Sequence, residues 1–251
     1  RRVNITLYGT DEKTYAELCH YPGGFEKTMN GIRLLRKYGV DVKIGGSLVK
    51  ANRGDLDRLL DFGDELGVPV RADTYMMPAV RERSQPYDLQ ARLNPEDAAR
   101  ARIHALKREM GPELFAKYAE VSARRADQPE HAEEKPGRMA CMAGQCSFTI
   151  NWQGEMRPCV ILSSPEASVF DEGFRAAWEH IVEETGKIRL SAKCSACSMR
   201  HLCRTCAASA LLEGGSYDSV PEYMCRYTEE SLRILREEWE KIQNGQDISD
   251  R

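Results

Sequence analysis

The sequence has no apolar run long enough to cross a membrane as a helix. It has no strong charge of one sign either: 36 Lys+Arg against 39 Asp+Glu leave a formal net charge of -3. Nothing therefore favours bulk binding to nucleic acid or to an anionic membrane. No internal repeat, phosphate-binding loop, Ser/His/Asp set or paired carboxylates stand out. The first residues, RRVNITLYGT, carry no initiator Met and no leader and enter a strand-like pattern at once. The expectation is a chain cut into, with partner strands upstream. Cysteine is nearly missing from the front: Cys19 stands alone, and the other eight of the nine fall between Cys141 and Cys225.

What is present in the front half reads as alternating strands and helices. VNITLY (3–8), VDVKIG (40–45) and VPVRA (68–72) have strand character. Between the first two, Phe25, Met29, Ile32 and Leu35 recur at helical spacing, and Gly39 stops the run. Between the second and third, Leu56, Leu59, Leu60 and Leu66 mark a buried helical face that Gly67 ends; Asn52 and Asp55 are candidates to cap its start. Strand, helix, strand at this spacing means βαβ units and a parallel sheet, which needs both faces covered.

Residues 73–93 read as irregular, with Pro78 and Pro86; Tyr75, Met76 and Met77 are candidates to line a pocket, though such residues are more often core. Asn94, Pro95, Glu96 and Asp97 then start a helix that runs to about Met110. Residues 123–137 are charged, contain two prolines and have little to bury, so they read as a linker. Two more amphipathic helices are expected at 173–186 and 227–242, the second with Leu232, Ile234, Leu235 and Trp239 as its apolar residues. The 41% hydrophobic content suffices for a core without disulfides, so the late cysteines call for metal chemistry.

Those cysteines read Cys141-x4-Cys146, then Cys159 closing WQGEMRPC, then Cys194-x2-Cys197-x5-Cys203-x2-Cys206, and last Cys225. Eight thiolates divide into two sets of four, which suits zinc or iron–sulfur. Five residues between the two C-x2-C pairs are few for a zinc ribbon, whereas compact runs typify iron–sulfur proteins. Two structural zinc sites would use the same residues. His201 lies inside the run but adds nothing to two full sets of four.

At these residues the sequence resembles the SPASM domain, the C-terminal extension of radical S-adenosylmethionine enzymes that modify peptides and proteins. The likeness runs over about 139–228. The front resembles the fourth to sixth strands of the radical S-adenosylmethionine barrel. The fold class implied is α/β: a partial parallel (β/α) barrel followed by a cysteine-rich α+β domain. The organisation expected is the rear of the barrel at 1–80, a helical bridge and linker at 81–138, the cysteine-rich domain at 139–228, and a terminal helix and tail at 229–251.

The resemblance implies two auxiliary 4Fe–4S clusters, one on Cys141, Cys146, Cys159 and Cys206, the other on Cys194, Cys197, Cys203 and Cys225. Only two residues, Arg204 and Thr205, separate Cys203 from Cys206, where the family usually has three. The family's C-x3-C-x2-C loop is nowhere in this chain, so as it stands it should not cleave S-adenosylmethionine. In the complete enzyme, S-adenosylmethionine and a third 4Fe–4S cluster are implied, with a 5′-deoxyadenosyl radical taking hydrogen from a peptide or protein substrate. An electron donor such as a flavodoxin or ferredoxin and a cytoplasmic location are expected with it.

Thr6 sits where such barrels contact the cofactor's ribose, and Lys43 is placed to reach its carboxylate; threonine is also a common strand residue and lysine a common surface charge. Two rivals from other classes remain: a zinc-stapled binding module without enzymatic activity, and a two-cluster electron-transfer protein.

Overall fold

The computed structural model describes residues 2–77, 91–128, 137–139 and 141–245. The chain divides into two compact units, one of residues 1–76, 88–124 and 226–251, the other of residues 77–87 and 125–225.

In the first unit, β1 (Arg2–Thr6), β2 (Asp41–Ser47) and β3 (Val70–Asp73) form a parallel sheet in the order β1-β2-β3. The connection from β1 to β2 holds two helices, α1 (Glu12–Cys19) and α2 (Gly24–Lys37), where the sequence predicted one. Asp11 caps α1 by accepting from the Thr14 N–H at 2.7 Å, and His20 ends it in the left-handed conformation. Only Tyr15 of α1 is fully buried, which leaves too weak an apolar stripe to read from sequence. A 3₁₀ turn (Lys50–Asp55) and α3 (Leu56–Leu66) join β2 to β3, and Gly67 closes α3 at φ 58°.

Strand side chains alternate between faces. Leu7, Val42 and Ile44 point into one core with Met29 and Ile32 of α2 and Leu59 and Phe62 of α3. Gly46 lets α3 lie close, because a Cβ there would overlap the Leu59 side chain. Cys19 packs partly buried on this core. The opposite face carries Asn4, Thr6, Lys43, Gly45, Ser47, Arg71 and Asp73, a polar set rather than a second apolar layer.

α4 (Pro95–Asp127) begins at Asn94, whose Oδ1 accepts from the Asp97 N–H at 2.7 Å. It breaks at Gly111 (φ 73°) and resumes at Pro112, as suits the first turn of a helix. The predicted end near Met110 is therefore a break. Residues 123–127 are helical, not linker, because Phe115, Ala119 and Ala123 give the second stretch an apolar face; 129–136 lie outside the described residues, as do Pro78 and Pro86. α8 (Glu222–Gln243) starts five residues before the predicted boundary. Ion pairs Arg226–Glu96, Arg100–Glu230 and Lys107–Glu238 join α4 to α8.

In the second unit, β4 (Thr149–Ile150), β5 (Glu155–Arg157) and β6 (Ala167–Ser168) form an antiparallel sheet. Gly154 (φ 81°) turns the β4–β5 hairpin, and Asn151 Oδ1 accepts from the N–H groups of Gln153 and Glu155, both at 3.0 Å. Met156 and Ala167 pack against Ala177 and Ile181 of α5 (Phe174–Lys187). Two short helices follow, α6 (Ala192–Ser195) and α7 (Ala207–Gly214).

Candidate metal centre

All nine cysteines are free of disulfides, and seven of them are half-buried; Cys141 and Cys146 are exposed. Cys141 and Cys146 bracket a tight turn in which the Cys146 N–H donates to the Met142 carbonyl at 3.1 Å, and Gln145 Nε2 donates to the Cys141 carbonyl at 3.2 Å. Cys159 lies two residues past the end of β5, and its Sγ accepts from the Leu162 N–H at 3.3 Å. Cys206 is the N-cap of α7, and its N–H donates to Ser209 Oγ at 2.8 Å. Cys159 and Cys206 pack on one apolar cluster, formed by Leu162, Ile188, Leu190, Ala207 and Ala208.

In the compact run, Cys194 lies in α6, and Cys197 and Cys203 sit in the turns that follow. Burial pushes the Cys194 thiol up, and neighbouring Cys203 and Cys197 push it further, against the pull of Arg200. Cys203 Sγ lies 3.1 Å from Thr205 Oγ1. Cys225 occupies the first turn of α8. His201 is exposed, with Nδ1 3.1 Å from the Ser198 carbonyl oxygen. Among the described residues, no three His, Cys, Asp or Glu side chains stand at metal-ligating distance. The donor set still fits a soft-metal cluster in its chemistry: unoxidised thiols, partly desolvated, one already accepting a main-chain N–H.

Thr6 is the last residue of β1 and pairs with Gly45; Lys43 pairs with Asn4. Alternation puts both on the polar face of the parallel sheet, one pleat apart, with Thr6 exposed and Lys43 half-buried. Tyr75, Met76 and Met77 follow β3 and are each half-buried.

Sequence reasoning misread one buried polar residue, Asn52, and missed another, Arg157. Asn52 does not cap α3. Its Oδ1 accepts from the Val49 N–H at 2.7 Å, and its Nδ2 donates to the carbonyls of Tyr8 (2.9 Å) and Ser47 (3.0 Å). It thereby ties together the chain just beyond β1 and the end of β2. Asp55 does not cap α3 with its side chain either; its Oδ2 accepts from the Thr10 N–H at 2.9 Å. Arg157 is 3% exposed, with Nη2 bonded to Glu155 (2.6 Å) and Glu166 (2.8 Å), while Nε and Nη1 find no partner among the described residues.

No family model matches the chain. It is 25% identical over 240 residues to an AdoMet-dependent heme synthase of Methanosarcina barkeri, covering 90% of this chain and 68% of that protein. It is 21% identical to heme synthases of the same name from Nitratidesulfovibrio vulgaris and Oleidesulfovibrio alaskensis, spanning 65% and 61% of their lengths. Among solved structures, anSMEcpe with bound AdoMet and the Cp18Cys peptide superposes with a TM-score of 0.60 at 14% identity, covering 97% of this chain and 70% of that one. SuiB of Streptococcus suis gives 0.60 at 17% identity, covering 89% and 54%; it has also been solved bound to the precursor peptide SuiA. The chain resembles SPASM-type radical S-adenosylmethionine enzymes in sequence and in fold.

Proposed function

We propose that this chain is the rear portion of a radical S-adenosylmethionine enzyme of the SPASM type, and that its cysteine-rich unit holds two auxiliary 4Fe–4S clusters. The observation that carries the reading is eight thiols, none in a disulfide, in one unit of a chain whose other unit is a parallel βαβ sheet with a polar face. The parallel sheet is read as the last part of a (β/α) barrel whose interior is that polar face. Clusters of this kind, with every iron held by a thiolate, pass single electrons.

In this reading Cys141, Cys146, Cys159 and Cys206 hold one cluster, and Cys194, Cys197, Cys203 and Cys225 the other. The Leu162 N–H bonded to Cys159 Sγ would raise that cluster's potential by stabilising charge on sulfur. Thr6 and Lys43 face the S-adenosylmethionine side of the sheet. The substrate read from the sequence is a peptide or protein, in line with the peptides bound by anSMEcpe and SuiB. A second reading, a step in making heme, is favoured by the name of the three curated relatives.

The test is a pair of variants of the anaerobically reconstituted chain. Cys159→Ser and Cys203→Ser should each remove about half of the iron, and the two together nearly all of it, as expected for separate four-thiolate sites. Loss of all iron from either single variant would overturn the two-set assignment.

A further inference from the structure

We propose that the second unit carries a binding site for a carboxylate borne on an apolar body, in the pocket that Arg138, Met139 and Gln145 form with the end of α5. The pocket measures about 310 Å³, at the small end of ligand sites, which run from roughly 300 to 1,000 Å³. Its polar lining is Arg138, Gln145, Thr185 and Arg189, and its apolar lining is Met139, Val182 and Ile188. Among the described residues, no carboxylate lines it.

The two arginines, both exposed, come from separate segments. Arg189 Nη1 donates to the carbonyls of Gly186 (2.6 Å) and Ile188 (2.8 Å). This covers the negative end of α5, where bare carbonyls would repel an anion, and leaves the rest of the guanidinium to bind. Arg138 has no ion-pair partner among the described residues. Its neighbour Gly137 is held on both sides, donating to Ser195 Oγ at 2.8 Å and accepting from the Leu190 N–H at 2.7 Å. The acids nearest on α5, Glu183 and Glu184, are both engaged by Lys187.

A guanidinium matches the flat, two-oxygen carboxylate, and the pocket offers two. The apolar lining matches an aliphatic or aromatic body. The C-terminus of a peptide and the acid arm of a non-peptide substrate share this chemistry. The site stands on its own residues and needs no cluster, so loss of the cluster reading would leave it intact.

The experiment is a titration of the full chain with N-acetylphenylalanine and with its amide, followed by backbone NMR shifts. The acid should move resonances of 138–145 and 185–189 and bind at least about tenfold more tightly than the amide, the difference expected of charge-assisted hydrogen bonds. Arg138→Gln and Arg189→Gln should each weaken the acid several-fold, while Arg175→Gln, at a 92% exposed arginine already paired with Glu179, should not. Equal binding of acid and amide, or equal competition by inorganic phosphate, would overturn the proposal. Displacement by a Leu-terminated peptide acid assigns the site to a peptide terminus, and displacement by a carboxylated porphyrin assigns it to a tetrapyrrole arm. Displacement by neither overturns the substrate role.

Discussion

Replacing Asn52 by Ala removes three hydrogen bonds from a side chain that is 3% exposed. The Val49 N–H is itself buried and is left without a partner, at about 1–3 kcal/mol. The Tyr8 and Ser47 carbonyls belong to residues with some exposure and can recruit water, so each loses only about 0.5–1 kcal/mol. The sum is about 3 kcal/mol, a large part of the stability of an ordinary domain. Asn52→Asp is the sharper probe. It keeps an acceptor for Val49 but sets a carboxylate oxygen against two carbonyls, so at neutral pH it should cost at least as much as Ala. The assay is urea unfolding with hydrogen exchange at the Val49 amide, which should lose protection in the Ala variant and keep some in the Asp variant. A cost below about 0.5 kcal/mol for Ala, less than one ordinary hydrogen bond, would refute the reasoning, as would an Asp variant as stable as the parent.

Gly144→Ala should cost about 2–4 kcal/mol, because Gly144 lies at φ 66° and a Cβ there would overlap Thr185; thermal unfolding reads the loss, and iron retention reads the displaced Cys141–Cys146 turn. Arg157→Met should cost less than about 1 kcal/mol or stabilise, since it removes a buried charge with two unpartnered N–H groups. Glu155→Gln with Glu166→Gln should cost more, because the charge stays buried while its partners go; chemical denaturation of the three proteins ranks them. Glu230 accepts from Arg233 and, with burial opposing, from Arg100 as well, which holds its carboxyl below the usual range. A lowered folded-state pKa gives stability that is present above the unfolded value and lost as pH falls through the folded one. Stability should therefore drop on acidification below about pH 4, and Glu230→Gln should flatten that limb of the curve.

The βαβ spacing was legible because its apolar residues recur at helical and strand periods and glycines stop the helices at Gly39 and Gly67. The start of α4 was legible because Asn94 and Pro95 act locally. α1 was not, since an eight-residue helix with one buried side chain has almost no periodicity to show. Asn52 was misread because a cap and a strand tie use the same residue type, and one of its partners, Tyr8, lies 44 positions away. Arg157 shows the same limit, for nothing in WQGEMRPC says which side chain turns inward. The cysteines could be grouped from the sequence because thiolate spacing carries chemistry directly, but among the described residues no three stand at ligating distance. The pocket at Arg138 and Arg189 was not, because its walls are about fifty residues apart in sequence and meet only in the fold.

The most direct test of the cluster assignment is the metal content of this chain, prepared without oxygen. Two 4Fe–4S clusters on eight thiolates predict about eight irons and eight acid-labile sulfides per polypeptide. About two zincs with no sulfide, one per four-thiolate site, would contradict it and make the cysteines of the second unit structural staples.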